Sequence, residues 1–214
     1  MLIRKVGGRR AGGQLLPGGG ATVITSNDTF VAGAAGVYRV LCVGSGGCAH
    51  VAASGDRPGG GSGFLVYGEV TLTAAQNVTV TIGASQGGDL LSGNPTSFGS
   101  YFQAPGGGPA VSTSRGGDGF SGGGVGNGGT NGGTNGSNGA GTGTPGKGQG
   151  GSILAFVAGR FADATIGAGT NGSTDAGGGV TINSSGNYGR GEQGASIHSG
   201  STAGACVVEG PYSA

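Results

Sequence analysis

Tryptophan is absent from this 214-residue chain, methionine occurs once, and charged residues make up only 9% of it. Each shortage removes a class of protein. A formal net charge of +1 leaves no broad electropositive face, so nucleic acid is not an expected partner. No segment approaches the ~20 apolar residues of a membrane-spanning helix, so membrane insertion is not expected either. Seven prolines and a glycine phase that keeps slipping exclude a collagen triple helix. Three cysteines, Cys42, Cys48 and Cys206, contain no CxxC pair and make no disulfide scaffold. They read as small buried thiols, with a single disulfide as the open alternative. His50 and His198 do not lie at ligand spacing, and no metal or other cofactor is expected. The start, Met1 to Lys5, is positively charged but has no apolar run of signal-peptide length behind it.

What the chain has instead is glycine, at 59 positions, against an ordinary share of about 7%. In an element interior each glycine costs roughly 0.5–1 kcal/mol relative to alanine. Multiplied across the chain, that load exceeds a usual net stability of about 5–15 kcal/mol. A side-chain core of ordinary design does not absorb it. A fold that uses the bare backbone, through dense hydrogen bonds between closely packed segments, does. Hydrophobic residues at 34%, grouped into β-branched runs, argue against disorder. The expected fold class is therefore mainly β with little or no α-helix: an antiparallel sheet or sandwich plus a packed bundle of polyglycine-II-type helices.

The chain divides into four parts. Residues 1–20 form an extended arm holding Arg4, Lys5, Arg9 and Arg10, a candidate docking segment. Residues 21–104 read as a β-rich domain with strands at 21–25, 29–31, 37–43, 77–83 and 96–102. Within it Gly63–Leu72 reads as a hairpin, and Val78, Val80 and Ile82 alternate onto one face. Residues 105–204 are glycine-rich, with a side-chain-bearing insert at 152–166, and residues 205–214 form a closing strand and tail returning to the first sheet. In the glycine-rich part, Gly123, Gly126, Gly129 and Gly132 recur every third residue, and Gly133, Gly136 and Gly139 resume the step after a one-residue slip. Three residues per turn is the period of a polyproline-II-type helix, whose peptide groups point outward. Glycine-lined helices of that kind can pack together and satisfy one another's backbone. A flexible linker is the competing reading of the same composition.

Catalytic motifs do not assemble. Gly61-Ser62-Gly63 has no triad partners. Gly44-Ser45-Gly46-Gly47 is not followed by a helical pattern, and Gly143–Gly148 lacks the closing Lys-Ser/Thr of a P-loop. The nine carboxylates are scattered without a close pair, so no enzyme is expected. The candidate contact residues are side chains that emerge from glycine: Phe156, Arg160, Phe161 and Asp163, and more weakly Arg115, Phe120, Tyr188 and Arg190. Aromatic residues with arginine are typical of interface hot spots. The alternative is that Ile153, Leu154 and Val157 fold back and extend a core.

The order of Gly44–Gly47, Gly59–Gly63, Val70–Thr73, Val78–Ala84, Thr96–Gly99 and Ala104–Gly108 resembles the glycine-rich domain of bacteriophage tail proteins. The later glycine stretches resemble the polyglycine-helix distal adhesins of T-even-like phages. The resemblance, over residues 28–209, implies a virion tail-fibre or tail-tip protein, released by lysis without a signal peptide. It implies docking to other tail, fibre or baseplate proteins through the N-terminal part. It also implies contact with a bacterial surface protein or glycan through loops at the far end of the glycine bundle; fibre symmetry makes a homotrimer plausible, although no heptads signal a trimeric coiled coil. Inserts between the glycine motifs are fewer here than in those adhesins. A purely structural tail subunit is the first alternative, and an ice-binding glycine-helix bundle a remote one.

Overall fold

The computed structural model describes residues 14–50, 58–110, 117–119, 157, 159–168, 178–192 and 200–213. The basic residues of the arm, the threefold repeat at 123–139, and Arg115, Phe120 and Phe156 lie outside these.

The described residues build antiparallel β-structure in three layers. The central sheet contains β1 (Leu15–Ile24), β3 (Gly36–Val43), β4 (Leu65–Leu72) and β11 (Ala205–Tyr212), in the order β1-β11-β3-β4. A second sheet contains β2 (Asp28–Val31), β5 (Asn77–Thr81), β6 (Thr96–Phe98) and β7 (Phe102–Ala104), in the order β2-β5-β6-β7. A small third sheet joins β8 (Ile166–Ala168), β9 (Val180–Ile182) and β10 (Ser185–Tyr188). The C-terminal strand thus sits inside the central sheet, bonded to β1 on one side and β3 on the other.

Side-chain alternation explains the layering. Along β3, Tyr38, Val40 and Cys42 enter one core with Val78, Val80, Phe98 and Phe102 of the second sheet. The intervening Leu41 and Val43 enter another, with Val157, Phe161, Ile166, Val180 and Ile182. A strand buried on both faces needs apolar residues at nearly every position, and Val37–Val43 has them, Arg39 excepted. β5 is covered on one face only, and its residues alternate between exposed and buried.

Three details depart from the sequence reading. The arm ends earlier than residue 20, because Leu15–Gly20 already pair in β1, with a register shift between Leu15 and Gly20 and Gly18 at a positive φ of 80°. Gly63–Leu72 is no hairpin: β4 runs unbroken through Gly68 and pairs with β3 along its whole length. Gly68 marks a close approach instead of a turn, since a methyl group there would overlap the Phe102 ring. The hairpin β9–β10 was hidden in the second glycine-rich stretch. Its two-residue turn, Asn183-Ser184, takes positive φ at both positions (53° and 59°), as a type I′ turn requires.

Candidate functional site

At one end of the sandwich the strands run directly into glycine segments. β3 continues as 44–50, β7 as 105–110 and β10 as 189–192, while 58–64 leads into β4, 91–95 into β6 and 200–204 into β11. These segments belong to no strand, yet they are hydrogen-bonded to one another, and 44–49 and 58–63 are buried throughout.

The bonding has a step of three. Ser45 and Cys48 donate their amides to Asn94 and Leu91 at 3.0 and 2.8 Å. Gly60 and Gly63 donate to Glu192 and Gly189 at 2.9 and 2.8 Å. Gly61 and Phe64 donate to Gly108 and Pro105 at 3.0 and 2.9 Å, and Gly107 and Ala110 donate to Ser45 and Cys48 at 2.8 and 2.9 Å. Between Ser45 and Cys48, Gly46 donates to Thr202 and Gly47 to Gly61, two further neighbours. Donors three residues apart therefore address the same segment, and the residues between them address others. A strand, whose side chains and ladder repeat every two residues, does not do this.

Such spacing leaves no room for side chains. A methyl group at Gly44, Gly46, Gly47, Gly60, Gly61, Gly63, Gly107 or Gly117 would overlap backbone atoms of a neighbouring segment. Glu192 is the large side chain enclosed in this lattice, and it is fully buried. Its carboxylate accepts the amides of Ala49 (3.0 Å) and Gly200 (2.8 Å), which ties three segments together. Burial, followed by the charge of Glu192, pushes the neighbouring Cys48 thiol up to about 11.

Among the described residues, the turn at 88–91 presents side chains beside the far part of segment 44–50. Leu90 donates its amide to Ala49 at 3.3 Å, well beyond the end of β3. Leu90 and Leu91 are 37% and 45% exposed, among the few large hydrophobic side chains that face solvent. Leu90 holds a positive φ of 56°, and beside it Asp89 pairs with His50 at 3.1 Å. Sequence reading did not single out this turn, although its side chains also emerge between glycines, Gly88 and Gly93.

The predicted contact residues are spread over the molecule. Phe161 is buried in the core between the central and third sheets, edge-on to Tyr67 at 6.0 Å. Its ring is therefore core and not surface; an aromatic next to Val157 and Ile166 was placed by its apolar neighbours. Arg160 and Asp163 are exposed and lie beside the central sheet, near Arg39 of β3 and Gly20 of β1 and away from the 88–91 turn. Their loop is held from beneath by Glu209, which accepts the amides of Ala162, Asp163 and Ala164 at 2.7, 2.7 and 3.2 Å and bonds the Tyr212 hydroxyl. Arg39 stacks on the Tyr212 ring, 4.0 Å from its centroid, pairs with Glu69 at 3.2 Å, and donates to the Arg160 carbonyl at 2.7 Å. Tyr188 is half-buried against the second core. Arg190 belongs to the lattice: its amide and carbonyl bond Thr202, and its buried Nε has no hydrogen-bond partner among the described residues.

Comparison with protein-family models, with curated proteins and with solved structures found no match.

Proposed function

We propose that this chain is a non-enzymatic virion protein, a tail-fibre or tail-tip component that attaches to a bacterial surface protein or glycan. The observation that carries the reading is the threefold step of hydrogen bonds among segments too close for side chains. Outward-pointing peptide groups repeating every three residues are what polyglycine-II-type helices offer. A bundle of them extends a β-sandwich into a stiff rod without a side-chain core, and a rod that ends in a few exposed side chains suits attachment at a distance. The turn carrying Asp89, Leu90 and Leu91, with His50 beside it, is the contact end in this reading, with the exposed Arg160 and Asp163 as a lateral face. Other tail, fibre or baseplate proteins are the partners at the opposite end, through the N-terminal arm, and a homotrimer is the expected fibre assembly.

The test is binding of the fluorescently labelled chain to a panel of intact bacteria that differ in envelope proteins and surface glycans. Saturable binding to at least one strain, reduced at least tenfold by Leu90→Ser with Leu91→Ser, is the expected result. Binding that survives this double substitution but is lost with Arg160→Ala and Asp163→Ala moves the contact to the lateral face. No binding to any strain, with antibody to the chain labelling a phage baseplate or shaft, leaves the structural-subunit reading in its place.

A further inference from the structure

We propose that Cys42 and Cys206 form an oxidative cross-linking site, a disulfide that ties the C-terminal strand to the middle of the central sheet. The two residues face one another as register partners on β3 and β11. Both side chains enter the core shared with the second sheet, both are fully buried, and their sulfurs lie 3.6 Å apart. Directly opposed residues of an antiparallel pair have Cα atoms about 4.5 or 5.5 Å apart. Both values fall within the roughly 4.4–6.8 Å that a disulfide spans. The sulfurs must close to about 2.05 Å, a movement within the reach of side-chain rotation.

The chemistry balances with a small-molecule disulfide as oxidant, such as oxidised glutathione. One cysteine thiolate attacks the oxidant, breaking its S–S bond and releasing one glutathione thiol. The second cysteine attacks the resulting mixed disulfide and expels the other. Two protein thiols lose two electrons and two protons, and the oxidant gains them as two thiols. In the closed sheet this exchange is slow, because the hydrogen bond between the two sulfurs and burial hold Cys206 in its thiol form. The bond therefore forms while β11 is open and is sealed when the sheet closes.

Its effect on stability is large because the bridged residues are 164 positions apart, a span that encloses the whole glycine lattice. Closing so long a loop restricts the unfolded chain more than a local bridge does. Cys48, buried in the lattice beside Glu192, remains a thiol. The site is independent of the proposed attachment role.

The test uses the full chain with Cys48→Ser, incubated with a reduced/oxidised glutathione buffer both folded and during refolding from urea. It is then alkylated with N-ethylmaleimide under denaturing conditions and weighed intact. The expected result is no added maleimide on the chain oxidised during refolding, two on the chain oxidised while folded and two after reduction, with the oxidised form melting about 5–10 °C higher. In the wild-type chain one alkylatable thiol remains and maps to Cys48. Two alkylated thiols on the chain refolded in the oxidising buffer, or glutathione retained on either cysteine, overturns the proposal.

Discussion

Single residues in this protein are governed by how little space the backbone leaves. Gly63 and Gly33 make the sharpest comparison. A methyl group at Gly63 would overlap the carbonyl of Gly44, whereas one at Gly33 meets nothing within 4 Å. Gly63→Ala is therefore expected to destabilise the fold by about 3 kcal/mol or more, and Gly33→Ala to stay within about 0.5 kcal/mol, as read by urea unfolding. Equal effects would mean that the segments are not packed backbone to backbone. Cys48 tests the electrostatics of the same region. Its thiol rises from 9.0 to about 11 on folding, so the folded chain holds a proton that the unfolded chain releases. The associated stability is complete below pH 9 and lost as pH climbs toward 11. Melting temperature measured across that range should fall more steeply for the wild type than for Cys48→Ser.

Elements are held by a few buried acceptors and by one strand of unusual importance. Glu209→Ala removes the shared acceptor for the amides of Ala162, Asp163 and Ala164. We expect a loss of about 2–3 kcal/mol, with faster amide exchange confined to the 160–164 loop. Exchange unchanged there would show that Arg39 alone holds the loop. β11 lies between β1 and β3, so a chain ending before Ala205 leaves β1 without a partner strand and opens one side of β3. That truncation is expected to abolish the cooperative thermal transition followed by circular dichroism. Much at this scale was readable from the residues. Val78, Val80 and Ile82 alternate because one face of β5 is dry, and the continuous run in β3 reflects two dry faces. Gly68 misled, because glycine reads as a turn locally while here its reason is the Phe102 ring, 34 positions away in sequence and on another sheet. The β9–β10 hairpin was masked by its glycine-rich surroundings, although Asn183-Ser184 between Val180–Ile182 and Tyr188 carried the turn signal.

At the scale of the molecule, many glycines among the described residues sit where segments exchange hydrogen bonds and side chains would otherwise pack. Glycine spacing predicts polyglycine-II-type helices at 123–139, which lie outside the described residues. The threefold bonding that is observed involves 44–50, 58–64, 91–94, 105–110, 189–192 and 200–204, where glycine spacing is irregular. Spacing alone could not find it, because Ser45, Cys48, Asn94 and Glu192 occupy lattice positions whose side chains happen to have room or a partner. The candidate contact end was less legible still: which side chains face outward depends on where each segment turns, and sequence carries little of that. Hydrogen exchange tests the central claim most directly. If peptide groups in the glycine segments supply the cohesion, the amides of Gly46, Gly47, Gly60, Gly61, Gly63, Gly107 and Gly108 will be protected as strongly as those of β3 and β11, by a factor of at least about 10³ over free chain. Exchange of these amides at free-chain rates while β3 and β11 stay protected would contradict it.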